Sequence, residues 1–160
     1  MFIIKSNVTE TFEVQTTMLE AQKFYSDSKN YVELMPNVES INTDAKGIVR
    51  WNIAVDVPLV GRWKMAFAVD FLSSSDTVEW FPSPVEKQNY LMCVTRLVEK
   101  TENTVTVTIS HNLELRRNKA SELHPLAGFA GESLISGEMK SEVAKMLKLF
   151  VKASKIRLEK

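Results

Sequence analysis

The sequence predicts an α+β domain, in which a seven-stranded curved antiparallel sheet wraps around one long C-terminal helix and two short helices separate the first and second strands. Three observations carry that expectation. A hydrophobic period close to two dominates residues 38–115, a helical period replaces it after about residue 136, and a capping signal interrupts the extended pattern near residue 17. A chain of 160 residues has room for one sizeable core, so residues 1–160 read as a single domain.

The elements follow in order. Phe2 to Gln15 mixes β-branched residues with charges and reads as extended. Thr17 stands three residues before Glu20, a capping-box spacing, and predicts a helix through Phe24 and Tyr25. A second helical turn, Asn30 to Met35, stops at Pro36, because the residue before a proline is pushed out of the helical region. Val38–Asp44 begins a run of six strands. Ile48–Val57 sets Val49, Trp51, Ile53, Val55 and Val57 on one face, and Arg62–Phe71 does the same with Trp63, Met65, Phe67, Val69 and Phe71. Thr77–Phe81, which is shorter, and Tyr90–Glu99 follow. Thr104–Leu115 alternates strictly, with Val105, Val107, Ile109, His111, Leu113 and Leu115 on its apolar face. From Ser136 to Leu158, Met139, Val143, Met146, Leu147, Phe150 and Ser154 share one side of a helix, while Lys145, Lys148, Lys152 and Lys155 share the other. Short connections make the strands an antiparallel meander, and this helix is the long amphipathic element that can cover its apolar face.

In a meander the connections alternate between two ends. One end collects short polar turns at 43–47, 73–76 and 100–103. The other collects Pro58, Leu59, Val60 and Gly61, then the segment from Phe81 and Pro82 to Gln88, then Asn118–Ser133 with Leu126 and Phe129. Apolar loops gathered at one rim are either a gate over a hydrophobic ligand or a plug for that end of the core.

Composition narrows the function classes. Twenty basic residues balance twenty acidic ones, which argues against a nucleic-acid coat. The balance is uneven along the chain: residues 1–115 carry −5 and residues 116–160 carry +5, so the lysine face of the last helix is a candidate contact for an anionic membrane or an acidic protein. One cysteine and two histidines leave little for a metal, and no cofactor motif is present. The lone Cys93, the lack of a signal-peptide pattern and the lack of a run of roughly 18 apolar residues lead to the expectation of a cytoplasmic protein.

The order strand, two small helices, six-stranded meander, long helix resembles the helix-grip fold of the START-like, or SRPBCC (Bet v 1-like), superfamily. Residues Tyr31 to Ile41, with Pro36 before Val38, look like that superfamily's helix-to-strand passage. Pro125 to Ile135 is similar to the approach to the last helix in its carbon-monoxide-dehydrogenase branch, although this chain has fewer glycines. The resemblance implies a cavity between sheet and helix that holds a lipid, an isoprenoid quinone, a polyketide-like molecule or another hydrophobic compound. Some members of the superfamily are cyclases or aromatases, and others regulate chaperones.

The expected lining is Trp51, Ile53, Val55, Trp63, Met65, Phe67, Met92, Arg96, Ile109, His111, Met139, Val143, Met146 and Phe150. The same apolar residues would equally make a filled core. His111 interrupts an otherwise apolar face, and whether Arg96 and Met92 join it depends on the turn between the last two strands. A four- or two-residue turn sets Met92 opposite His111, and Arg96 on its face. A three-residue turn brings Cys93 inward and leaves Arg96 in solvent. Three functions follow: a non-enzymatic carrier or sensor of a hydrophobic small molecule, a polyketide cyclase or aromatase using His111 or Arg96, and a protein-interaction module with a filled core. Arg116, Arg117 and Lys119 form a small basic cluster that reads as a solvated strand end.

Overall fold

The computed structural model describes residues 1–57 and 61–160. Seven strands, β1 (Phe2–Val14), β2 (Val38–Thr43), β3 (Val49–Val57), β4 (Gly61–Ser73), β5 (Thr77–Pro82), β6 (Asn89–Thr101) and β7 (Thr104–Arg117), form one antiparallel sheet in the order β1-β7-β6-β5-β4-β3-β2. Helices α1 (Met18–Ser26) and α2 (Ser28–Leu34) lie between β1 and β2; a short α3 (Ala127–Ala130) precedes the long α4 (Glu132–Leu158). This is the expected helix-grip architecture.

Local chemistry sets the helix ends. Thr17 caps α1 by accepting from the Glu20 N–H at 3.2 Å. Asp27 closes α1 and also caps α2, accepting from Lys29 N–H at 3.0 Å, which starts α2 at Ser28 and not at Asn30. Asn37 follows Pro36 with a φ of 74°, so the chain turns sharply into β2. The last helix begins at Glu132, earlier than the expected Ser136. Gly131, at φ 82°, supplies a backbone conformation that side-chain-bearing residues resist, separating α3 from α4.

Helix α4 covers the inner face of the sheet and also closes one of its edges. Ile3 N–H donates to Glu132 Oε2 at 3.0 Å, Lys5 N–H to Ser136 Oγ at 3.1 Å, and Gln15 N–H to Glu159 Oε2 at 2.9 Å. The helix thus satisfies two outward donors at the start of edge strand β1 and one just past its end, which blunts those parts of the edge against further strand pairing. Ile135, Met139, Val143, Met146, Leu147, Phe150 and Ser154 are the buried side of α4. Among the described residues, no helix is long and apolar enough to cross a membrane.

Two side chains depart from the expected pattern. Phe71 is half-exposed at the turn-bearing end of β4, and Val49, which pairs with Val69 nearby, is only half-buried, because the sheet extends past its cover there.

Candidate functional site

The inner face was expected to gather one set of residues, and most of them are there. Trp51, Ile53 and Val55 of β3, Trp63, Met65 and Phe67 of β4, Ile109 and His111 of β7, and Met139, Val143, Met146 and Phe150 of α4 are all buried. Met92 and Arg96 are not among them. Thr101 pairs with Thr104 across a two-residue turn, but the register shifts between Glu99 and Thr101, where Lys100 is an extra residue on β6. That bulge reverses the parity of everything upstream. Cys93 therefore stands opposite His111, and Arg96 pairs with Thr108 on the outer face, while Met92 lies 40% exposed. Met92 and Arg96 thus lie off the inner face where they were expected, and Cys93 and Thr95 lie on it.

Aromatic rings fill the space between sheet and helices. Tyr31 of α2 lies 5.4 Å from Trp51, 4.8 Å from Trp80 and 4.8 Å from Phe150, and Trp51 lies 5.3 Å from Trp80 (centroid distances). The region expected to be a cavity is occupied by these side chains. A cleft of about 170 Å³ nevertheless runs from Ser26 and Ser28 past Ile41, Thr43, Val49 and Phe71 to Trp80, reaching the cluster from the turn-bearing end. Tyr31 and Trp80 were not singled out from the sequence. They sit in elements of seven and six residues, too short for periodicity to rank their faces.

The two buried tyrosines are satisfied. Tyr31 Oη donates to the Tyr25 carbonyl at 2.8 Å, Tyr25 Oη donates to Ser154 Oγ at 3.0 Å, and Ser154 Oγ donates to the Val151 carbonyl at 2.9 Å. Burial pushes both phenols above their ordinary range. His111 is different: among the described residues neither ring nitrogen has a hydrogen-bond partner, nor has Trp51 Nε1, and the two rings lie 6.4 Å apart. Trp63 Nε1 and Ser6 Oγ are also buried without a partner among the described residues. Burial lowers the His111 pKa to about 4, so the imidazole is neutral near pH 7, able to donate one hydrogen bond and accept another. Burial pushes the Cys93 thiol up to about 12, which removes thiolate nucleophilicity. Among the described residues, no three His, Cys, Asp or Glu side chains gather as metal ligands.

The rim divides between the two expectations for it. Ala127 is buried, and the His124 ring lies 6.4 Å from Trp63, so the segment before α4 lies over that end of the core. Phe129, by contrast, is 90% exposed, and Leu126 and Val85 are exposed beside half-buried Phe81 and Pro82. Gly61 is exposed; Pro58, Leu59 and Val60 lie outside the described residues. On α4, Lys145 pairs with Glu142 at 3.3 Å, while Lys148 and Lys152 are exposed alongside Leu149 and Ile156, and Lys155 is half-exposed.

No family model matches the chain, and no curated protein matches it in sequence. Solved structures do match its fold. The di-domain ARO/CYC BexL from the BE-7585A biosynthetic pathway aligns with a TM-score of 0.65 and 11% identity over 98% of this chain and 51% of its own length, so the chain spans about half of that protein. The Zhui aromatase/cyclase from Streptomyces sp. R1128 aligns at 0.63 with 11% identity, covering 94% of each chain. A START superfamily protein from Mycobacterium smegmatis aligns at 0.59 with 13% identity, over 96% of this chain and 97% of its own. The chain thus has the START-like, Bet v 1-like helix-grip fold. The local similarity of residues 125–135 to the carbon-monoxide-dehydrogenase branch is not supported by these three structures.

Proposed function

We propose that the protein binds a hydrophobic small molecule carrying at least one hydrogen-bonding oxygen, between the sheet and α4. The observation that carries this reading is the set of buried, unpartnered polar atoms on the inner face, above all both nitrogens of His111 and Nε1 of Trp51. Buried donors and acceptors without partners each cost about 1–3 kcal/mol, and native cores keep few of them. A core serving only for packing has no use for an imidazole among Val8, Leu113, Cys93 and Trp51. A ligand hydroxyl seated there can accept from the Trp51 indole N–H and donate to the unprotonated nitrogen of His111, while a carbonyl can accept from the N–H of either ring.

Entry requires the aromatic cluster to part. The cleft at Phe71 and Trp80 supports a route from the turn-bearing end. Met65, Met139 and Met146 supply unbranched, adaptable side chains along the interior. Lipids, isoprenoid quinones and polyketide-like rings all fit this chemistry; the lysines of α4 with exposed Leu149 and Ile156 support a peripheral contact with an anionic membrane from which such a molecule is collected. The cyclase reading keeps only His111, since Arg96 faces outward, and an imidazole with a pKa near 4 is a weak general base.

The test is native mass spectrometry of the protein purified from cells. The expected result is a bound species of small-molecule mass that is released on denaturation and reduced in His111→Leu. A wild-type spectrum showing the protein mass alone, with no uptake of an added fatty acid, quinone or flavonoid, would favour a filled-core interaction module.

A further inference from the structure

The basic cluster at the end of β7 is more than a solvated strand end. A cleft of about 270 Å³ opens between that end and the β5–β6 connection, lined by Met1, Lys87, Gln88, Arg116, Arg117 and Asn118. Three of these six are cationic and none is acidic.

Arg117 is held in place by neutral oxygens. Its Nη1 donates to the Arg116 carbonyl at 2.8 Å and the Gln88 carbonyl at 3.4 Å, and its Nη2 donates to Asn89 Oδ1 at 2.8 Å. These contacts orient the guanidinium without neutralising it. Among the described residues, no carboxylate lies within ion-pair distance of Arg117 or Lys87, whereas Arg116 is paired with Glu114 at 3.1 Å and lies 4.5 Å over the Tyr90 ring.

The nearby acids are engaged elsewhere. Glu86 accepts four backbone N–H groups, from Ala68 at 3.1 Å, Lys87 at 3.0 Å, Gln88 at 3.1 Å and Asn89 at 3.0 Å. Glu122 accepts from Asn118 N–H at 3.1 Å. The Glu86 contacts fix the loop that carries Lys87, so one wall of the cleft is built and not merely flexible surface. Glu86 and Glu122 act on Arg117 through space, yet neither pairs with it. A half-buried, positioned guanidinium with no ion-pair partner among the described residues, lining one cleft with exposed Lys87, is an arrangement suited to an oxyanion.

We propose that this cleft binds a phosphate group, held by Arg117 and Lys87 with Arg116 at its side. The group is either free phosphate or the phosphate of a monoester. The site stands on its own residues and does not depend on the interior ligand.

The test is calorimetric and NMR titration of the full chain with inorganic phosphate, with decyl phosphate below its micelle concentration, and with decanol as the uncharged control. Saturable binding of inorganic phosphate, shifting the amides of 87–89 and 116–118 and weakening with added salt, supports the proposal with free phosphate as a sufficient ligand. Binding of decyl phosphate alone, with the same amides shifted, supports it with a monoester as the source. Lys87→Glu, whose exposed side chain leaves folding intact, is expected to weaken either interaction about tenfold, equivalent to one well-placed charge contact. Arg117→Gln is the second variant, read only after its amide spectrum shows a native fold. The proposal is overturned if neither phosphate compound binds at millimolar concentration, if decanol binds as tightly as decyl phosphate with the same shifts, or if Lys87→Glu leaves the affinity unchanged. Failure here leaves interior binding untouched, because that is read from His111 and Trp51.

Discussion

The imidazole of His111 and the indole of Trp51 stand 6.4 Å apart inside the protein, and none of their three nitrogens finds a hydrogen-bond partner among the described residues. In a packed interior this arrangement works against folding. Replacing His111 by leucine, of similar bulk and without polar atoms, is therefore expected to stabilise the ligand-free protein by about 1–3 kcal/mol. Urea unfolding at pH 7 checks the sign. The same substitution removes hydrogen bonding to the proposed ligand, so stability and binding are expected to move in opposite directions.

The pH dependence follows from the same side chain. The folded protein lowers the His111 pKa from 6.5 to about 4 by burial. Above pH 6.5 the group is neutral in both folded and unfolded chains and contributes no slope. Between 6.5 and about 4 the unfolded chain takes up a proton that the folded chain refuses, so stability falls as pH falls, by about 3 kcal/mol across the window. Below the folded pKa this contribution levels off. Denaturant unfolding at several pH values is expected to show the decline in wild type, and to lack that component in His111→Leu.

Much of the architecture was legible because it rests on repeated, local signals. The Thr17 cap, the stop at Pro36 and the strict alternation of Thr104–Leu115 each specify an element within a few residues, and all appear in place. His111 was legible as the polar break in an apolar face. Its neighbour was not. Lys100 carries no mark of a bulge, yet that one extra residue exchanges Met92 and Arg96 for Cys93 and Thr95. The cover supplied by Tyr31 and Trp80 was equally hidden, since both depend on how short elements dock and not on their own periodicity.

Glu86 organises the β5–β6 loop through its charge. Burial opposes the charged carboxylate, but hydrogen bonds from Asn89, Gln88, Ala68 and Lys87 outweigh that and lower its pKa. A depressed carboxylate pKa stabilises the fold above the unfolded value of 4.5, and this is lost as pH falls through the folded pKa. Glu86→Gln is expected to lower hydrogen-exchange protection at residues 87–89 and at Ala68, with little change along α4. Uniform loss of protection across the sheet would contradict this local role.

Tyr25 and Ser154 tie α1 to α4 through a buried hydrogen bond of 3.0 Å. Tyr25→Phe deletes the donor while Ser154 keeps its bond to Val151, so the cost is expected to be about 1 kcal/mol, measured by urea unfolding.

The lysine face of α4 is expected to give salt-sensitive binding to vesicles containing anionic lipid. Lys148→Glu combined with Lys152→Glu is expected to abolish it without altering thermal stability, because both side chains are exposed. Sedimentation with vesicles at low and high salt reads the effect.

The most direct measurement of the central claim is the ¹⁵N–¹H signal of the Trp51 indole, followed while a fatty acid, a short-chain quinone and a flavonoid are titrated into the protein. The account predicts that at least one of them shifts the Trp51 indole and the His111 ring resonances together and saturably, and that His111→Leu weakens that binding. Binding that moves only surface resonances, or no response of Trp51 and His111 to any of the three, would contradict it.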